Sequence, residues 1–176
     1  APDYKYYTSD VTRMFPVSGR FSAAQRERYT IYLRVYQALM TSIEVHKRPI
    51  DVIANAVKKM DAIMASYRFT DQRIKAAAVR FVEGFRARKQ ANGLGHNVGL
   101  EVHDPGGLQA ETLEPGRVFT IEPQFRIEEE RLGVRLEHMI LITETGYENL
   151  SEFVPIEVKD IEKLMAQRGL SDALKR

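Results

Sequence analysis

Apolar residues in the first half of this chain recur at a helical period. Tyr32, Val35, Tyr36, Leu39 and Ile43 share one side of a 3.6-residue repeat, and Ser22 with Gln25 three places on has the form of a capping box that would open it. Pro49 restarts the chain, and Ile50, Ile53, Val57, Met60, Met64 and Tyr67 line one face of a second helix. Asp71 is placed to cap a third, with Ile74, Ala78, Phe81 and Phe85 on its apolar side. Ahead of these helices, Tyr4 to Val17 is rich in Tyr, Thr, Val and Phe and closes on Pro16 and a Val17-Ser18-Gly19 turn, which predicts a strand.

The period changes in the second half. Val118 to Glu122 and Val134 to Thr143 predict strands; in the second, Arg135, Glu137, Met139 and Leu141 alternate with Leu136, His138, Ile140 and Ile142. Glu128-Glu129-Glu130-Arg131 between them reads as a solvated hairpin tip, and Glu114-Pro115-Gly116 and Thr145-Gly146 as turns. Asn92 to Gly107, with five glycines, reads as irregular, and Glu157 to Gln167 as a last amphipathic helix stopped by Gly169. A strand, three helices, several strands and a final helix make an α+β order.

Composition narrows the function. The 176 residues suffice for one domain with a sizeable core, and 44% hydrophobic with 28% charged is a globular balance. A net charge of +2 argues against nucleic acid or an anionic membrane as partner. With no cysteine there is no disulfide, thiolate metal site or cysteine nucleophile. No apolar run approaches the roughly 20 residues of a membrane span, and no leader is visible. The compartment stays open, with the cytoplasm slightly favoured. A start without Met, inside a strand-like stretch, suggests that a preceding segment has been removed.

Against this background a few polar residues stand out. His96 sits between Gly95 and Gly99, where backbone can approach a ligand closely; an imidazole there is either a metal ligand or a loop histidine. His103, seven residues on, can return beside His96 if Leu100 to His103 is extended; oxyanion donor and structural histidine weigh equally. Glu122 ends an apolar strand, where a carboxylate is costly unless paired or bound to metal. Glu137 lies mid-strand, and metal ligation is balanced by an ion pair with Arg135 on the same face or with another basic residue. Asp10, before Thr12-Arg13, reads by default as a turn or strand-end aspartate. His46 suits a helix C-terminus, and Met40, Met60 and Met64 suit the core. There is no phosphate loop ending in Lys-Ser or Lys-Thr, and no Gly-x-Ser-x-Gly elbow.

Four collinear motifs then carry a resemblance: Ser9-Asp10-Val11-Thr12-Arg13 with Phe15-Pro16-Val17-Ser18-Gly19-Arg20-Phe21; Gly95-His96 through His103-Asp104; Pro115-Gly116-Arg117-Val118-Phe119-Thr120-Ile121-Glu122-Pro123; and Val134-Arg135-Leu136-Glu137. In this order, over almost the whole chain, they resemble the catalytic domain of the Xaa-Pro aminopeptidases, in the metallopeptidase family that includes methionine aminopeptidase and prolidase. The resemblance implies a pita-bread fold, a curved antiparallel sheet backed by helices in two pseudo-symmetric halves. It makes residues 1–176 a single fragment, the later part of a catalytic domain whose first half of the repeat is missing. It implies two divalent metal ions, manganese foremost with cobalt or zinc as alternatives, sharing a bridging water or hydroxide. By the same resemblance Asp10, His96, Glu122 and Glu137 are the metal ligands. His103 contacts substrate and steadies the tetrahedral intermediate, Glu122 moves a proton towards the leaving nitrogen, and Arg135 orients carboxylates from behind. The substrate implied is a peptide with proline at its second position.

The chain departs from the family pattern in named places. A further ligand aspartate would fall before Ala1; Asn92 stands where a substrate-binding histidine is usual; His138 follows the last ligand where Asp is frequent. The missing aspartate predicts weak metal binding and poor turnover by this chain alone, and a missing half predicts a homodimer or association with a complementary segment. Two other readings share the fold, a non-catalytic peptide- or protein-binding module and a metal-free creatinase-like amidinohydrolase.

Overall fold

The computed structural model describes residues 3–88, 94–106 and 112–169. Asn92, given a substrate-binding role on resemblance, lies outside the described residues, as do Gly93 and Gly107 of the glycine-rich stretch.

The three long helices form where the local signals put them. α1 (Ala23–Met40) starts from a complete capping box: Ser22 Oγ accepts from the Gln25 N–H, and the Gln25 side chain accepts from the Ser22 N–H. Ile43 lies past its end but is buried. α2 (Pro49–Ser66) has Pro49 at its first turn, where a missing N–H costs nothing. α3 (Gln72–Arg86) is capped by Asp71, which accepts from the Arg73 N–H. The arginine beside it holds the Asp71 carboxyl down to about 2. Met40 and Met60 are buried and Met64 packs against the core, as their spacing predicts.

The β half is more broken than the alternation suggests. Tyr4 to Val17 contributes only a two-residue hairpin, β1 (Asp3–Tyr4) and β2 (Tyr7–Thr8), turned by Lys5 and Tyr6 at positive φ. Ser9 to Phe15 runs on without a ladder because other groups take its bonds: Asp10 N–H reaches Met139 Sδ at 3.2 Å, and the Thr12 carbonyl accepts from Glu137 N–H at 3.1 Å.

β3 (Val118–Ile121) pairs antiparallel with β6 (His138–Thr143), which pairs with β7 (Gly146–Asn149). β4 (Gln124–Ile127) and β5 (Leu132–Arg135) form a separate hairpin. The continuous strand expected over Val134 to Thr143 is thus two strands, interrupted at Leu136 and Glu137. Both ladders nevertheless keep one register. Ile121 faces His138 and Gln124 faces Arg135, so Glu122 stands opposite Glu137 in the gap.

The tip of the β4–β5 hairpin is a turn of 3-10 helix (Glu128–Glu130), and it is not simply solvated. Glu130 forms a two-pronged ion pair with the buried Arg28 of α1. His46 also differs from expectation: it lies beyond α1 in a left-handed turn, its Nδ1 2.9 Å from Glu114. The last helix, α4 (Val158–Met165), buries Ile161 against the rest. α1 supplies the centre of the core, with Tyr32, Tyr36 and Leu39 fully enclosed.

Candidate metal centre

Asp10, His96, His103, Glu122 and Glu137 are delivered to one place, while His46 lies apart beside Glu114. Asp10 comes from the extended segment after β2, where its N–H donates to Met139 Sδ at 3.2 Å. Glu122 comes from just past β3, and Glu137 from just before β6.

His96 is set by a tight approach of loop to strand. Its N–H donates to Thr120 Oγ1 (3.2 Å), and the Thr120 N–H donates to the His96 carbonyl (2.8 Å). Gly95 permits this approach: a Cβ there would lie 2.7 Å from the Thr120 carbonyl carbon and closer still to its oxygen. The loop then closes through Asp104 N–H to Asn97 carbonyl, at 3.1 Å. Leu100 to His103 is bent rather than extended, yet His103 does return beside His96, with ring centroids 4.2 Å apart.

His96 Nε2 lies 3.1 Å from Glu122 Oε1, 3.7 Å from Asp10 Oδ2 and 3.8 Å from Glu137 Oε1. Its Nδ1 lies 3.0 Å from the Asn97 carbonyl, which can only accept, so Nδ1 carries the proton. In the neutral ring, Nε2 therefore turns a lone pair towards three carboxylates. Nε2 and Glu137 Oε1 are both buried and without a hydrogen-bond partner. Acceptors facing acceptors in a low-dielectric pocket are repulsive. A second proton on the ring sets one positive charge against three negative; a divalent cation sets two and satisfies Oε1 as well. Carboxylates with one imidazole are also the donors such cations select. The residues fit a metal.

Glu137 carries the burden of this arrangement. It is 3% exposed, and burial, then the charges of Glu122 and Asp10, push its carboxyl above the ordinary range. Thr12 works against that shift by donating to Oε2 at 2.6 Å. The expected alternative, an ion pair with Arg135, does not form: Arg135 Nη1 sits 3.2 Å from Glu122 instead. His96, Glu122 and Glu137 make one group whose donor atoms all lie within 4.8 Å of one another; Asp10, His96 and His103 make a second.

Two contributors escape sequence reasoning. Thr12 is one. The other is Arg13, whose guanidinium donates to the carbonyls of Thr12, Glu137 (2.6 Å), Ser151 and Val154 and so ties the Glu137 backbone in place. The Thr-Arg pair after Asp10 marks them by position alone.

Comparison with known proteins identifies the family and the fold. The model of metallopeptidase family M24 matches residues 1–144. The chain is 38% identical over 175 residues to the Xaa-Pro aminopeptidase of Escherichia coli K12, covering 93% of this chain and 39% of that one. Among solved structures, proline aminopeptidase P II from Yersinia pestis superposes with a TM-score of 0.69 at 31% identity, over 93% of this chain and 39% of that one. Zn-substituted Escherichia coli aminopeptidase P in complex with product gives 0.61 at 32%, over 94% and 40%. The chain thus spans about two fifths of the length of these relatives, and its mixed α/β fold resembles part of their pita-bread domain.

Proposed function

The chain belongs to metallopeptidase family M24, and from that premise we propose that it provides the metal-binding part of an aminopeptidase that releases the residue ahead of proline. The observation that carries the reading is the convergence of Asp10, Glu122 and Glu137 on His96 Nε2. These four would hold two divalent ions, manganese foremost, with cobalt or zinc as alternatives. Metal bound here would supply Lewis acidity and a water acidified towards a pKa of about 7.

The chain's own residues do the rest. His103, exposed beside His96, is positioned to donate to the oxygen of the scissile carbonyl as it gains charge. Glu122, half-turned to the cavity it lines with His96 and Arg135, is the group to carry a proton to the leaving proline nitrogen. Arg135 fixes the Glu122 carboxylate while it does so. Tyr6, Tyr7, Phe15, Val17 and Phe153 are exposed, which supports association with a second chain or a complementary segment. No described helix is long and apolar enough to cross a membrane.

Manganese titration by calorimetry tests the reading, with hydrolysis of an Xaa-Pro peptide followed in parallel. The parent chain takes up manganese weakly, cleaves slowly, and loses both with His96→Ala. Uptake that survives His96→Ala sinks the reading.

A further inference from the structure

The gap between the two ladders leaves backbone groups to be satisfied. Regular pairing stops at Ile121 with His138 and resumes at Gln124 with Arg135. Between them Pro123 stands opposite Leu136; Pro123 has no N–H to give, and a buried Leu136 N–H cannot go unpaired. Glu122 N–H turns away to the Leu94 carbonyl (3.3 Å) and Glu137 N–H to the Thr12 carbonyl (3.1 Å).

Two tyrosines one turn apart on α1 fill what remains. Tyr32 accepts from the Leu136 N–H at 2.6 Å and donates to the Pro123 carbonyl at 2.9 Å. The Tyr36 hydroxyl lies 3.1 Å from the Ile121 carbonyl and 2.6 Å from His138 Nδ1. Ile121 and Pro123 flank Glu122; Leu136 and His138 flank Glu137. Each hydroxyl therefore spans from the strand bearing one carboxylate to the strand bearing the other. Both rings are fully enclosed, so neither oxygen can exchange its partners for water.

We propose that Tyr32 and Tyr36 are positioning residues: together they fix the separation of Glu122 and Glu137 and thereby set the affinity of the site for a divalent cation. The proposal rests on the metal reading of those two carboxylates. Like charges opposite one another across two strands repel, and no ladder hydrogen bond joins the strands between the Ile121–His138 and Gln124–Arg135 pairs. The hydroxyls are rigid spacers from a helix that is itself the centre of the core. They keep the carboxylates together when no cation does, so binding need not draw the strands in. Pairing with Tyr36 also gives the unusual His138 a buried partner.

The test compares Tyr32→Phe and Tyr36→Phe with Tyr29→Phe. Tyr29 lies on the same helix and donates at 2.7 Å to the carbonyl of Ile156, a residue that flanks neither carboxylate. Each change removes one oxygen and keeps the ring. Free manganese is read by electron paramagnetic resonance, and the Tm of the metal-free chain by circular dichroism. All three variants lower Tm; Tyr32→Phe and Tyr36→Phe also weaken manganese binding by about 10-fold or more, the range seen when groups behind a metal ligand are lost, while Tyr29→Phe leaves it unchanged. If the parent binds manganese and Tyr32→Phe and Tyr36→Phe bind it equally well, the spacing role is wrong and the metal reading stands. If the parent binds none, the metal reading falls and the spacing role with it.

Discussion

Thr12 donates its hydroxyl proton to Glu137 Oε2 at 2.6 Å and thereby directs the other oxygen, Oε1, towards His96. Oε1 has no hydrogen-bond partner. The hydroxyl both stabilises a buried charge and fixes the carboxylate's orientation. Thr12→Val keeps the shape and removes the donor. A hydrogen bond to a charged group contributes about 1.5–3 kcal/mol, so the metal-free chain loses stability on that order. Manganese affinity falls about 10-fold. Thr12→Ser restores both, and denaturant melts with metal titrations decide it.

Gly95 and Gly84 predict opposite signs for the same substitution. A Cβ on Gly95 would enter the carbonyl of Thr120, which is backbone and cannot step aside. Gly95→Ala therefore separates the loop from β3, costs several kcal/mol, and carries His96 away from the carboxylates. Gly84 is exposed within α3, and a Cβ there meets nothing within 4 Å. Gly84→Ala stabilises by about 0.5–1 kcal/mol through helix propensity. Thermal melts of the two variants give Tm shifts in opposite directions.

What could be foreseen follows from how local each signal is. Ser22 with Gln25, Pro49 and Asp71 act within a turn of themselves, and all three helices begin where they predict. The candidate ligands were legible because four motifs fall in one order. The break at Glu137 was not, because alternation reports which face a side chain takes, and it continues unchanged through a gap in the hydrogen bonding. Tyr32 and Tyr36 read as apolar filling, since a helical period says nothing about a hydroxyl at the ring's far end. Arg28 and Glu130 are about a hundred residues apart in sequence, and no spacing rule pairs them.

His138 predicts a pH effect of known sign. Burial, and then the charge of Arg13, lower its pKa from 6.5 to about 4 in the fold. Between those values the unfolded chain holds a proton at His138 that the folded chain does not, so the contribution of His138 to stability falls as pH is lowered through the window and is constant above it. The slope reaches about 1.4 kcal/mol per pH unit, and the total is about 3 kcal/mol. Denaturant melts of the parent and His138→Asn across the window isolate it: the difference between the two carries the slope. Equal slopes would place the acid sensitivity elsewhere.

Glu137 predicts that function opposes stability at this site. Its folded-state pKa is raised, chiefly by burial and further by the charges of Glu122 and Asp10. Folding therefore strengthens this carboxyl's hold on a proton, and its contribution to stability is lost as pH rises through the folded pKa. In the metal-free chain at neutral pH, a charged Glu137 is a net cost. Glu137→Gln removes the charge and keeps the size and one acceptor for Thr12. The metal-free variant melts higher, by about 2–4 °C for each kcal/mol relieved. It also loses manganese binding, since the carboxylate that destabilises the empty pocket is the one a cation needs. Added manganese then raises the Tm of the parent and leaves that of the variant unmoved. A variant that melts lower than the metal-free parent would show that this carboxylate is paired in the fold rather than held ready for a cation.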